Sequence, residues 1–121
     1  MLFRSKRFNE QFNESISAKE IFNRYRRKDS NSILFINEYK DILARCLVLI
    51  VTTLDPDAIV FGGGVSNEIE SLDEIKKTTE KYLSNFNNIK NVNLKTIFLK
   101  PKFGDASGVR GAAILSKQNT I

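Results

Sequence analysis

Residues 54–66 read Leu-Asp-Pro-Asp-Ala-Ile-Val-Phe-Gly-Gly-Gly-Val-Ser, and no other stretch leaves the chain so few ways to fold. Proline has no amide to donate and pushes the residue before it out of the helical region, so Asp55-Pro56 must end any helix arriving from upstream. Ala58-Ile59-Val60-Phe61 follows as a short, continuous apolar run, as expected of a strand covered on both faces by helices. Gly62-Gly63-Gly64 ends that strand. Residues without a Cβ let backbone approach a ligand and offer it amides, and ligands in open α/β sheets sit beyond the carboxyl ends of strands. The same glycines also suit a plain tight connection. They complete neither a dinucleotide fingerprint, since Asn67 stands where a third glycine is needed, nor a P-loop, since no Gly-Lys-Ser/Thr follows.

Upstream of the proline, Ile36, Tyr39, Leu43, Leu47, Ile50 and Leu54 recur at spacings of three and four, which predicts one long amphipathic helix from about Ser32. Its second half, residues 46–51, is apolar almost all round and is expected to be buried, with Cys46 as a small core residue. Before it, Ser17-Ala18-Lys19-Glu20 has the spacing of a capping box and opens a helix through Ile21, Phe22 and Tyr25. Asp29-Ser30-Asn31-Ser32 breaks that helix, because these side chains compete for its backbone hydrogen bonds. The basic run Arg24, Arg26, Arg27 and Lys28 complements the helix dipole and reads as a solvated face, with a phosphate or nucleic-acid patch as the alternative. Residues 1–16 show no sustained periodicity, although Phe3, Phe8 and Phe12 are too apolar for a solvated tail and are expected to pack on something.

Downstream, a second capping box, Ser71-Leu72-Asp73-Glu74, announces a helix with Leu72, Ile75, Tyr82, Leu83 and Phe86 on its inner side. The Asn-rich residues 85–93 form a turn, residues 92–99 a further strand, and Asp105 is the N-cap of a closing helix. On that helix the face Gly108-x-x-Gly111-Ala112-Ala113 has almost no side chain and suits close packing against another backbone. The order helix, helix, strand, glycine loop, helix, strand, helix is that of an α/β chain whose strands share one mostly parallel sheet. Two strands make a poor sheet by themselves. Either residues 1–16 contribute another, or the partner strands lie on a segment this chain lacks. The chain divides into an N-terminal extension, residues 1–16, and an α/β domain, residues 17–121.

Composition narrows the chemistry. At 121 residues there is room for one domain. An excess of 19 basic over 14 acidic residues, a formal charge of +5, favours polyanions without choosing among them. With Cys46 alone and no histidine, one chain can build neither a disulfide nor a Cys/His zinc site, and imidazole catalysis is excluded. Residues 1–12 carry Arg4, Lys6, Arg7 and Glu10 and no apolar core, so they are not expected to be a signal peptide. No run approaches the roughly 20 apolar residues that span a bilayer. A cytoplasmic location is the expectation.

At residues 54–66 the chain resembles the ROK family of bacterial sugar kinases, open reading frames and repressors, in which a helix, a Leu-Asp-Pro turn and a strand lead into a Gly-Gly-Gly-Val loop of the adenosine-binding region. Ile16-Ser17-Ala18-Lys19-Glu20-Ile21-Phe22 is similar to the family's helix after its metal-binding segment. Gly104-Asp105-Ala106-Ser107-Gly108-Val109-Arg110-Gly111-Ala112-Ala113 is similar to its closing glycine-rich helix. The resemblance implies the C-terminal half of a ROK fold, a partial actin-like (ribonuclease H-like) ATPase domain. It places Gly62, Gly63, Gly64 and Val65 against the adenine or ribose of ATP, with Mg²⁺ handled elsewhere. It implies no catalytic residue and no metal ligand in this chain. The family's Asp-x-Gly-Gly-Thr phosphate loop, its Asn-Asp pair with the catalytic base, and its Cys-rich zinc motif with sugar-binding His and Glu have no counterpart here. Asp55 and Asp57, flanking a proline before a strand, do not replace that base, and Arg110 stands where the closing helix usually has an apolar residue.

Two functions compete under this resemblance. The chain is the nucleotide-clamp segment of an ATP-dependent sugar kinase, inactive in isolation, or the sugar-sensing or dimerisation segment of a NagC-like transcriptional regulator whose separate helix-turn-helix domain binds DNA. A truncated product with a purely structural role is a third. The implied partners are a second copy of the chain or a missing N-terminal ROK lobe, and a sugar as substrate or effector; no membrane is involved.

Overall fold

The computed structural model describes residues 2–63, 70–104 and 107–118. Among these residues, helices and strands run in the order α1 (Leu2–Phe12), α2 (Ala18–Arg26), α3 (Ser30–Leu54), β1 (Ala58–Val60), α4 (Leu72–Asn87), β2 (Ile97–Leu99) and α5 (Ser107–Gln118). Residues 1–16 therefore supply a helix, not a strand. Its apolar signal is thin because the described anchors are Phe8 and Phe12, a single turn apart. Phe8 is fully buried, with its ring 5.2 Å edge-on from Phe35. The side chain of Phe3 lies outside the described residues. Asn9 locks the turn after α1, donating through Nδ2 to the Ile16 carbonyl and accepting from the Ile16 amide, both at 3.0 Å.

The helix boundaries follow side-chain chemistry. Ser17 accepts from the Glu20 amide and Ser71 from the Glu74 amide, each as the N-cap of its helix. Of the first capping box only this half is built in the expected way, since the Glu20 carboxylate turns to Arg24 at 3.5 Å. Asp29 caps α3 by accepting from the Ser32 amide at 2.9 Å. Asp55 ends that helix in a left-handed conformation, φ 44°, donating its amide to Val51, and Pro56 prevents any continuation.

The 25 residues of α3 form a spine that serves two cores. Its first half joins α1 and α2 around Phe8, Ile21, Phe22, Phe35 and Ile36. Its second half joins the sheet and α4 around Leu47, Phe61 and Ile75, with Leu43, Ile59, Leu72 and Phe98 packed alongside. Lys40 lies between the two, donating to Tyr25 at 3.0 Å and Glu74 at 3.1 Å. Partial burial pulls its pKa down, but those two partners outweigh the burial and leave it raised. The three helices α2, α3 and α4 are tied by this one ammonium.

The sheet is smaller and barer than expected. β1 and β2 pair in parallel with Ala58, Ile59 and Val60 opposite Ile97, Phe98 and Leu99. The further strand covers only Ile97–Leu99 of the expected residues 92–99. Ile59 and Phe98 face the helices, while Val60, Ile97 and Leu99 are exposed, so one face of the sheet is covered and not both. The 46–51 stretch is corrected likewise. Leu47 and Val51 are buried, but Cys46, Leu49 and Ile50 are exposed, because helices and sheet approach α3 from one side. On α4, Ile75 and Leu83 point inward as expected, whereas Phe86, in the last turn, is 79% exposed. The small-residue face of α5 also lies open: a Cβ added at Gly108 or Gly111 would meet nothing within 4 Å. The expected N-cap Asp105 lies outside the described residues. No helix among the described residues is long and apolar enough to cross a membrane.

Candidate functional site

Because β1 and β2 are parallel, their carboxyl ends emerge at one edge of the sheet. Phe61, just beyond β1, continues the ladder by donating its amide to the Leu99 carbonyl at 3.0 Å. Its ring is buried, 5.3 Å from that of Phe98, and packs in the cluster with Leu47 and Ile75. The residue that launches the glycine loop is thus held by both backbone and core. Gly62 and Gly63 follow as exposed backbone.

The two glycines differ in kind. Gly63 has φ +73°, a conformation that any side chain would strain. Gly62 has no such constraint, and a Cβ at either position would meet nothing within 4 Å. No contact or strain within the described residues calls for glycine at position 62. Bare backbone at the carboxyl edge of a parallel sheet can take a flat or phosphorylated ligand at close range. Gly64 and Val65, the other two expected contacts, lie outside the described residues.

The exit from β2 shares this edge. Lys100, Pro101, Lys102, Phe103 and Gly104 leave the sheet there, and Gly104 turns with φ +60°. Phe103 is half exposed, and the Arg110 guanidinium of α5 lies 3.8 Å from its ring centroid, with the Lys102 ammonium at 5.7 Å. Sequence reasoning singled out Arg110 only as an intruder on an apolar helix and passed over Lys102 and Phe103. The alternation Lys100, Lys102, Phe103 was the available signal.

The opposite edge carries the acids. Asp55 caps α3 and the Asp57 carbonyl accepts from the Ile97 amide, while the buried Thr96 hydroxyl donates to Pro56 at 2.8 Å. Both carboxylates sit at the amino ends of the strands, a strand length away from the glycines. Among the described residues no three Asp, Glu or Cys side chains come together as a cation would require. Arg26, Arg27 and Lys28 of the basic run are exposed, as expected of a solvated face. Arg24 pairs with Glu14 at 2.6 Å, which raises its pKa, and Arg26 pairs with Glu70 at 3.1 Å. A cavity of about 510 Å³ between α1 and α3, lined by Phe35, Tyr39 and Ile42, is rimmed by the Arg7–Glu38 pair and shares no residue with the glycine edge.

A profile of the ROK family matches residues 5–119. Over 110 residues the chain is 36% identical to the N-acetyl-D-glucosamine kinase of Yersinia enterocolitica, an alignment covering 91% of this chain and 33% of that protein. Over 102 residues it is 36% identical to the N-acetyl-D-glucosamine kinase of Mannheimia succiniciproducens, with 84% of this chain and 32% of that protein covered. Its fold superposes on the crystal structure of a candidate sugar kinase from Cytophaga hutchinsonii with a TM-score of 0.70 at 20% identity, covering 94% of this chain and 40% of the other. The chain spans about a third of the length of the curated relatives it matches.

Proposed function

This chain belongs to the ROK family, and on that basis we propose that it is the C-terminal nucleotide-clamp segment of an ATP-dependent sugar kinase with an actin-like fold. The observation that carries the reading is Gly62, a glycine that neither strain nor crowding explains, at the carboxyl edge of the sheet. Gly62 and Gly63 would hold the adenosine of ATP against bare backbone, with Gly64 and Val65 continuing the loop. ATP supplies the phosphoryl group, which a sugar hydroxyl accepts. What this chain contributes is position: the buried Phe61 ring and the hydrogen bond from the Phe61 amide to the Leu99 carbonyl would fix the floor under the nucleoside, and positioning supplies much of the acceleration in phosphoryl transfer. Catalytic base, magnesium site and sugar site belong to the rest of the enzyme. N-acetyl-D-glucosamine, named in the relatives, is the first sugar to test on an assembled enzyme.

With one wall of the site present, affinity is expected to be low, a dissociation constant near a millimolar, equivalent to about 4 kcal/mol. The test is an NMR titration of ADP into the wild type and Gly62→Val, with melting curves alongside. Weak binding lost in a variant that melts normally is the expected outcome. Equal binding in both would assign the glycines to the turn and withdraw the nucleotide.

A further inference from the structure

The glycine loop leaves the sheet after Phe61, and α4 receives the chain again at its Ser71 cap. A ligand lying on the loop depends on both ends being held. The first end is fixed by the Phe61 ring and by its amide, which donates to Leu99. The second end meets a looser joint. Between α2, α3 and the start of α4 lies a cavity of about 100 Å³, with Phe22, Ile36 and Ile75 in its lining, so apolar side chains leave this joint incompletely filled.

Polar ties cross the gap. Arg26 of α2 donates to Glu70 at 3.1 Å. The Lys40 ammonium of α3 donates to both carboxylate oxygens of Glu74, at 3.1 and 3.3 Å, and to the Tyr25 hydroxyl at 3.0 Å. Glu74 stands in the first turn of α4, where its amide donates to the Ser71 hydroxyl. Its neighbour Ile75 packs in one cluster with Phe61. The turn that receives the loop is thus held to the sheet by one side chain and to α2 and α3 by the next. An apolar contact has no preferred direction, whereas a hydrogen-bonded ammonium fixes one. The two ties are unequal. Arg26 and Glu70 are 42% and 64% exposed, and pairs so open to solvent contribute little. Lys40 is only 21% exposed and joins three helices, so the direction of the turn rests mainly on it.

We propose that Lys40 is a positioning residue for the glycine loop: through Glu74 and Tyr25 it fixes the turn where the loop returns to the fold, and so makes nucleotide binding depend on the packing of α2 against α3. The proposal rests on the adenosine reading of the loop and adds what holds the loop from its far end.

The test combines the ligand-free amide signals of Gly62 and Gly63 with an ADP titration by NMR, for the wild type and for Lys40→Met, Lys40→Arg and Glu74→Gln. Arg45→Gln is the control, since it opens a different tie between the same two helices, where Arg45 lies 5.3 Å from the Tyr82 ring centroid. Lys40→Met should shift both glycine signals and weaken ADP about fivefold, the scale of one net hydrogen bond. Arginine at the same position carries the charge to the same acceptors and should restore the signals and most of the affinity. Should the methionine variant fail to fold, Glu74→Gln opens the same tie at an exposed side chain and is expected to shift the glycine signals in the same sense. Arg45→Gln should leave the signals and the affinity as they are, whatever it does to melting. Glycine signals that follow Lys40 in a chain that ignores ADP would sink the adenosine reading and leave the positioning role standing. Unmoved signals in both Lys40→Met and Glu74→Gln overturn the proposal, as does a control that weakens ADP as much as Lys40→Met, which would reduce the effect to general stability.

Discussion

Asp29 separates α2 from α3 with one side chain. Its amide donates to the Arg24 carbonyl at the end of the first helix, and its carboxylate accepts from the Ser32 amide in the first turn of the second. That amide bond favours the charged carboxylate and holds its pKa below the ordinary value of 3.8. A depressed folded pKa means that the stabilisation is complete above the unfolded value and is lost as pH falls through the folded one. Asn also caps helices but does not titrate. The stability advantage of the wild type over Asp29→Asn should therefore shrink below pH 3.8, as melting curves at pH 3 and pH 6 can test. A constant advantage at both would place the effect outside this cap. Caps of this kind are legible from residue type and spacing because the hydrogen bond closes within three residues. Gly62 is the contrary case, since its sequence neighbours cannot say what stands above its Cα.

α3 shows how one helix divides between two surroundings. Periodicity marked Leu47, Ile50 and Leu54 as one stripe, yet Leu47 is 2% exposed while Leu54 is 71% exposed. The sheet and α4 lie against the stripe at Leu43 and Leu47 and leave the far end uncovered. Leu47→Ala should cost about 3 kcal/mol through the cavity left between Phe61 and Ile75. Leu49→Ala, at 68% exposure, should stay within about 0.5 kcal/mol. Urea denaturation of both variants measures the contrast, and a comparable cost at Leu49 would mean that this face is covered in solution. α1 illustrates the reverse problem: its pattern is too sparse for periodicity to detect, and packing of Phe8 against Phe35 decides it.

At the scale of the whole molecule, the exposed apolar residues fall on surfaces where neighbouring layers would lie. Val60, Ile97 and Leu99 stand on the bare sheet face, Leu49, Ile50 and Leu54 on the outer side of α3, and Val109, Ile114 and Leu115 on α5. Apolar surface on this scale is normally covered by a partner. A second copy of the chain or the missing N-terminal ROK lobe is the proposed cover, so light scattering at rising concentration should show self-association of the isolated chain. A strict monomer would count against the homodimer. The isolated chain should also fail to phosphorylate N-acetyl-D-glucosamine, glucose, fructose or N-acetylmannosamine with ATP above a blank. Turnover by pure protein would overturn the assignment of base and phosphate loop to another segment.

The local pattern of residues determined the caps at Ser17, Asp29 and Ser71, the stop at Asp55-Pro56, the long helix, and a glycine loop at the end of a strand, because each depends on contacts within a few residues. Family membership was legible in the same way, from motifs in order. The covering of only one sheet face, the exposure of Cys46 and Leu49, the burial of Phe8, and the meeting of Lys102 and Arg110 on Phe103 were decided by tertiary structure alone. Burial depends on which elements approach from which side, and a one-dimensional apolar pattern marks surface that can be buried without showing what, if anything, covers it.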